Sequence, residues 1–250
     1  MLLEKSALDL DLESEKRRRA DLIRKVNDAL QRDGILIPLS GGVDSTLSLY
    51  LSIEAVGTNK VTGWFAPYRR ITKAETNQYI NDITDDTGIN IIVDNVLIDI
   101  LRAARTPGFH EYAIKAARRK WESEKKMFYK DGDETFEAPM NAHTGVILGC
   151  GKTLVDRAYS SIVAQHYFRE AMAKTTAVRH NLTLVCCANL TECLVGWYTK
   201  GGLDDTEEVK PIADLYKTQV RALAKHIPIV ESVQNRQPSS DMGIGTDEDI

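Results

Sequence analysis

Residues 35–51 limit the possible folds of this chain more than any other stretch. Ile35-Leu36-Ile37-Pro38-Leu39 is apolar throughout, the pattern of a strand buried on both faces. Pro38 lacks a ladder donor and belongs at the carboxyl end of such a strand, where pairing gives way to a loop. Ser40-Gly41-Gly42-Val43-Asp44-Ser45 follows at once, and then Thr46-Leu47-Ser48-Leu49-Tyr50-Leu51, which reads as a helix closing near Gly57. Strand, Gly-rich turn and helix start together make an anion site. Two glycines let the backbone approach a phosphate, and the N–H groups and positive dipole end of the helix hold its charge. Ser40 and Ser45 add hydroxyl donors. Asp44 would repel a phosphate unless a Mg²⁺ lay between them. The plainer reading is a corner with Asp44 as helix N-cap. Two serines and the Asp at these positions favour phosphate chemistry.

The rest of the chain continues the alternation. Residues 13–31 read as a helix, with Leu22, Ile23, Val26 and Leu30 at helical spacing and Gly34 at its end. Lys60 to Ala66 reads as a second strand. Thr72-Lys73-Ala74-Glu75 is a capping-box pattern opening a helix that stops at Gly88. Ile89 to Val93 reads as a third buried strand, 96–104 as a helix, 152–178 as a long helix and Leu182 to Cys187 as a fourth strand. Helices follow at 190–198 and 214–226, and Gln234 to Ile250 is loop-like. Alternating strands and helices predict an α/β fold, a doubly wound, mostly parallel sheet with helices on both faces. Residues 105–151 break the rhythm and read as a helical insertion, a lid or interface element, within one domain over 1–250. Ligands then bind beyond the carboxyl ends of the strands, where the Gly-Gly turn falls.

Composition excludes several classes. At 250 residues the chain can bury about three-quarters of its unfolded surface. Hydrophobic content of 43% and charged content of 27% are ordinary for a soluble globule. A net charge of −4 argues against a nucleic-acid binder. Lys16-Arg17-Arg18-Arg19 and Arg118-Arg119-Lys120 are interspersed with acids and read as solvated helix faces. No segment approaches the ~18 apolar residues of a membrane span, and Met1-Leu2-Leu3-Glu4-Lys5 lacks a signal peptide's pattern. Cys150, Cys186, Cys187 and Cys193 form no C-x-x-C pair, which fits reduced thiols in a cytoplasmic protein. Gly145 to Thr153 approaches a Walker A loop but has one residue too many before Gly151-Lys152-Thr153, with Val146 in the place of the required glycine.

A second constellation follows the fourth strand. In Ala188-Asn189-Leu190-Thr191-Glu192 the Glu192 carboxylate could point into the same crevice as Asp44. Two carboxylates with phosphate oxygens make a reasonable Mg²⁺ site. Taken alone, Glu192 reads as a first-turn helix acid. Trp197-Tyr198-Thr199-Lys200-Gly201-Gly202 then puts a cation on a Gly-rich turn, and Pro211 to Val220, Gln237-Pro238-Ser239-Ser240-Asp241 and Thr246-Asp247-Glu248-Asp249 complete the series.

Ser40–Ser45 resembles the PP-loop of the ATP pyrophosphatases, with their adenine nucleotide alpha hydrolase-like fold. Glu192 to Lys200, Pro211 to Val220 and the order of the later motifs narrow the resemblance to ammonia-dependent NAD synthases. It covers about 35–66 and 182–249. The resemblance implies a ligase that adenylates the carboxylate of deamido-NAD with ATP and Mg²⁺. Ammonia then displaces AMP, and pyrophosphate has already left. It implies ATP contacts at Ser40, Gly41, Gly42, Val43, Asp44, Ser45, Phe65, Ala66, Cys187, Lys217 and Ser239. Asp44 and Glu192 would be the metal ligands, and Lys200, Glu208 and Arg157 would make dinucleotide contacts. Asp44 and Lys217 carry the catalytic roles, and the family pattern is a cytoplasmic homodimer. Cys187 stands where a threonine is usual, and Val155 to Ser161 keeps a single arginine of the family's Arg-rich helix. Two alternatives stand beside this one. One is a PP-loop amide-forming or sulfur-inserting enzyme with another small carboxylate or carbonyl substrate. The other is a nucleotide-binding module without catalysis, which the retained Asp44, Glu192 and Lys217 argue against.

Overall fold

The computed structural model describes residues 9–67, 74–94, 167, 169–195, 203 and 208–236. Its sheet forms because short, mostly apolar runs bury their side chains by pairing side by side under helices. The strands are β1 (Gly34–Pro38), β2 (Val61–Phe65), β3 (Asn90–Val93) and β4 (Leu182–Leu184). Their order is β3-β2-β1-β4, and every pair is parallel. The chain therefore steps outward from β1 to β2 and β3, then returns to the other side of β1 for β4.

Side-chain alternation along β1 divides the core into two layers. Ile35, Ile37 and Leu39 pack with Ile23, Leu47 and Leu223 on one face. These come from α1 (Leu12–Ala29), α2 (Val43–Val56) and α6 (Lys217–His226). Leu36 packs on the other face with Trp64, Leu184, Ala173 and Ala177, the last two from α4, helical over 169–179. Ile35, Leu36 and Ile37 are fully buried, and each contributes about 1.5–3 kcal/mol of transfer free energy. α3 (Ala74–Thr87) connects β2 to β3. α5 (Leu190–Val195) follows β4, and the short α7 (Glu231–Gln234) closes the described chain. Helices lie on both faces, so the fold is the doubly wound α/β sheet expected.

Pro38 shows how the sheet opens where a ligand can enter. The β1–β2 register runs to Pro38 and Trp64, and Leu39 N–H still donates to Trp64 O at 2.8 Å. The β1–β4 register stops two residues earlier, at Leu36 and Leu184. Leu39 points its N–H toward β2, so the ring nitrogen of Pro38 faces the β4 side. The residue that cannot donate thus sits where β1 and β4 have ceased to pair.

Several expectations change in detail. α1 ends not at Gly34 but through Gln31, whose φ is +53°. Gly34 instead opens β1, where a Cβ would lie 2.2 Å from Lys60 O. Leu22 and Leu30 are exposed, and only Ile23 of the α1 stripe is fully buried. β3 is not buried on both faces, because β2 flanks it on one side and Val93 is largely exposed. The helix expected from 214 begins at Lys217, because 211–215 form turns. The capping residue Thr72, the 96–104 helix, the 105–151 insertion and the first part of the 152–178 helix lie outside the described residues.

Candidate active site

Strand order places the site. β1 and β4 are neighbours whose connections run to opposite sides, and such a switch point leaves a crevice beyond the carboxyl ends of the strands. Ser40–Ser45 leaves β1 at one wall of this crevice, and Asn189–Glu192 leaves β4 at the other.

The Ser40–Ser45 loop is closed on itself. Gly41 takes φ +71°, a conformation L side chains rarely adopt. Gly42, not Asp44, is the N-cap of α2, so Asp44 occupies the second helical position and projects from the first turn. The two serines serve the loop itself. Ser40 N–H donates to Ser45 Oγ at 3.3 Å, Gly42 N–H to Ser40 Oγ at 3.2 Å, and Ser45 Oγ to Gly42 O at 3.1 Å. Ser45 is buried, and its hydroxyl lies 3.1 Å from that of Ser40. The first donor of the α2 ladder is Thr46 N–H, to Gly42 O at 3.1 Å. The N–H groups of Val43, Asp44 and Ser45 precede it at the positive end of the helix, where an anion is best held.

Across the crevice, Asn189 and Glu192 cap each other reciprocally. Asn189 N–H donates to Glu192 Oε2 at 3.0 Å, and Glu192 N–H donates to Asn189 Oδ1 at 3.1 Å. The remaining arm of the Asn189 amide, Nδ2, donates to Asp44 Oδ1 at 3.0 Å. Lys217 enters from the start of α6. Its Nζ lies 2.5 Å from Asp44 Oδ2 and 3.7 Å from Glu192 Oε1. The two carboxylates, from two strand ends, therefore converge on one cation. Such a pair fits Mg²⁺, which is commonly held by one or two carboxylates with substrate phosphates supplying further oxygens. Among the described residues no group of three or more His, Cys, Asp or Glu side chains could form an all-protein cage.

The turn before α6 explains how Lys217 arrives there. Leu190 N–H donates to Leu215 O at 2.8 Å, and Lys217 N–H to Thr191 Oγ1 at 3.0 Å, so α5 and α6 start together. Asp214, in that turn, is held from α1. Arg19 Nη1 lies 2.6 Å from Asp214 Oδ1 and also donates to Pro211 O, and Arg18 Nη2 lies 2.8 Å from Asp214 Oδ2. Burial alone would raise the Asp214 carboxyl, but hydrogen bonds from Arg19 and Arg18 outweigh it and hold it at about 2. Arg19 is 2% exposed. The solvated-face reading of this basic run fails there, because Glu15, Asp214 and the Pro211 carbonyl take up both terminal nitrogens of the buried guanidinium.

The other candidate residues divide by position. Cys187 Sγ lies 3.9 Å from Pro38 O, at the mouth of the crevice. Phe65 ends β2 and Ala66 follows it, both buried, and Arg169 of α4 donates to Ala66 O at 3.1 Å. Glu208 does not join the Asp44 cluster. Its carboxylate accepts from Leu184 N–H, because Val209 bridges in parallel to Val185 and pins the segment beside β4. Lys200, Arg157 and Ser239 lie outside the described residues.

Two residues at the site escaped the sequence reading, Asn189 and Arg236. Arg236 Nη1 donates to Ser40 O at 3.0 Å, Nη2 reaches Thr76 Oγ1 at 3.4 Å, and the guanidinium lies 4.7 Å from the Tyr79 ring centroid. A Cβ on Gly41 would stand 2.9 Å from Arg236 Nη1. The signal for Asn189 was its place three residues before Glu192, a capping-box spacing. Arg236 carries no such local mark.

The family model described as NAD synthase matches residues 15–127 and 158–249. The chain belongs to the NAD synthase family. The NH(3)-dependent NAD(+) synthetase of Coprothermobacter proteolyticus is 31% identical over 244 residues, spanning 94% of this chain and 78% of that one. The corresponding synthetase of Mesorhizobium japonicum is 30% identical, over 94% of this chain and 76% of its own. Among solved structures, the NMN synthetase of Francisella tularensis superposes with a TM-score of 0.66 at 18% identity, covering 96% of this chain and 81% of its own, a likeness of fold. As a NAD synthase family member the chain is an enzyme, a ligase that forms a carbon–nitrogen bond and consumes ATP. No described helix is long and apolar enough to cross a membrane.

Proposed function

We propose that this enzyme makes NAD from deamido-NAD, ammonia and ATP, and that the crevice between β1 and β4 is where it does so. One observation carries the assignment of the site: Asp44 and Glu192, from two different strand ends, meet at Lys217 beside the Ser40–Ser45 loop. In this reading the N–H groups of Val43, Asp44 and Ser45 face the ATP phosphates, with Gly41 and Gly42 allowing close approach and Ser40 and Ser45 keeping the loop in shape. Phe65, Ala66 and Cys187 line the nucleotide side, and Ser239 keeps the ATP-contacting role that the family likeness implies for it. Asp44 and Glu192 hold Mg²⁺, which when bound offsets charge on the phosphates.

The reaction needs positioning and charge stabilisation more than a nucleophilic side chain. A carboxylate oxygen of the nicotinate group forms a bond to the α-phosphorus, and the bond from that phosphorus to the bridging oxygen breaks. Pyrophosphate leaves with the electron pair. Lys217 moves its ammonium from Asp44 toward the growing negative charge. Ammonia then adds to the acyl carbon, AMP leaves, and a proton is lost to give the amide. Lys200 and Arg157 hold the dinucleotide, and Glu208 joins them only by releasing Leu184 N–H.

The chain acts as one domain over 1–250, with 105–151 inserted, as a cytoplasmic homodimer. The deciding assay supplies ATP, Mg²⁺, ammonium and deamido-NAD and follows both products. Stoichiometric NAD and AMP are expected. AMP formed only with some other carboxylate would move the acceptor, and no AMP with any acceptor would remove the activity.

A further inference from the structure

We propose that Asn189 is a positioning residue that holds the two carboxylates Asp44 and Glu192 in register for the metal, a role that rests on the functional reading above. Asn189 is completely buried, and its amide is used at both ends. Oδ1 accepts from Glu192 N–H, and Nδ2 donates to Asp44 Oδ1. Its backbone N–H takes Glu192 Oε2. One residue thus fixes one oxygen of each carboxylate, Asp44 Oδ1 through its side chain and Glu192 Oε2 through its backbone N–H, while its Oδ1 holds the Glu192 backbone in place. The other oxygen of each, Asp44 Oδ2 and Glu192 Oε1, is turned toward Lys217 Nζ. An N-cap needs only an acceptor, so serine or threonine would serve the helix as well. What they cannot supply is the second arm, a donor long enough to reach the end of another strand. A neutral amide also holds a carboxylate without competing for its charge, whereas a second cation there would weaken the metal. A hydrogen-bond partner that orients a metal ligand is worth about 10- to 100-fold in metal affinity.

Asn189→Ser and Asn189→Thr separate the two roles, because both keep the helix cap and neither reaches Asp44. The threonine variant fills more of the site and carries the test if the serine variant does not fold. The probe is α,β-methylene ATP, which cannot be split at the reacting bond, titrated with Mg²⁺ and again in EDTA. Melting of the ligand-free variants reports the cap. Expected is a melting temperature within a few degrees of the parent, and Mg²⁺-dependent binding of the analogue weaker by about tenfold. Binding in EDTA should change less than about twofold, since the loop is untouched. Equal Mg²⁺ dependence in variant and parent would overturn the positioning role alone. A parent whose analogue binding ignores Mg²⁺ would overturn the metal reading and this assignment with it. Equal weakening with and without Mg²⁺ would make Asn189 a general support of the crevice and overturn the proposal as well.

Discussion

The carboxyl ends of β1 and β4 face one crevice, yet they are built by different means. The β1 end is made of backbone. Two glycines, a left-handed φ at Gly41 and serines bonded within the loop leave N–H groups at a helix start as the working surface. The β4 end is made of side chains. Asn189 and Glu192 cap each other, and Lys217 comes in from a third element. A surface of backbone donors suits an anion whose position is set by shape. A surface of side-chain charges suits a cation, whose position must follow the number and spacing of ligands. Asp44 belongs to both, since it stands on the loop and faces the side-chain cluster.

Asp44 therefore gives the largest test of that division. Asp44→Asn keeps the shape and removes the charge, and turnover should fall by at least about a hundredfold while the far-UV spectrum and melting stay near those of the parent. Binding of ATP in EDTA should survive, because the backbone surface remains. Loss of EDTA-phase binding as well would mean that the two ends are not separable.

Lys217→Met comes next. Lys217 balances two carboxylates, and its loss leaves both without that partner. Turnover should fall by about ten- to a hundredfold. Melting of the variant should respond to Mg²⁺ alone more steeply than that of the parent, since the ion then supplies the missing positive charge. A flat Mg²⁺ response would show that Asp44 and Glu192 do not depend on Lys217 for balance.

What the sequence made legible follows the same division. The β1 end is local: strand, glycines, hydroxyls and Asp44 lie within a dozen residues, and each has a fixed job at its spacing. The parallel sense of the sheet, too, follows from the alternation of elements. The β4 end is assembled over distance. Asn189 reads as a finished N-cap, and only the fold shows its second hydrogen bond, to a residue 145 positions away. Arg19 reads as part of a charged helix face, because its partner Asp214 is 195 positions away. Arg236 has no local signature, and its contact with Ser40 spans 196 positions. Glu208 shows the converse: an acidic residue in a family-like position finds a nearer use on the open edge of β4.

Arg236 sharpens the comparison from the β1 side, because there a side chain braces a backbone loop. Its bond to Ser40 O and its stacking on Tyr79 are together worth about 1 kcal/mol, or roughly fivefold in affinity. Arg236→Ala should raise KM for ATP by about that factor and leave kcat nearly unchanged. Arg236→Lys keeps the charge but not the planar fork, and should resemble the alanine variant. Full rescue by lysine would mean that charge near the loop, and not its geometry, is what matters.

The smallest effect concerns the support behind Lys217. Asp214 is held at about 2 in the fold, against 3.8 for the free carboxyl, by Arg19 and Arg18. A carboxyl with a depressed folded value binds its proton more tightly in the unfolded chain. Its stabilising contribution is therefore complete above about pH 4 and is lost as pH falls toward about 2. Asp214 is more than half exposed, so solvent and salt screen the pair and the loss is modest. Urea melts through that window should show the parent losing more stability than Asp214→Asn, with the gap narrowing in high salt. The loss should also be uneven across the crevice. Asp214 anchors the turn that delivers Lys217 and has no part in the β1 loop. Hydrogen exchange, corrected for its intrinsic pH dependence, should rise at Lys217 N–H before it rises at Thr46 N–H. Simultaneous release of both would mean that the two ends open as one unit, and that the β4 end is as tightly built as the loop it faces.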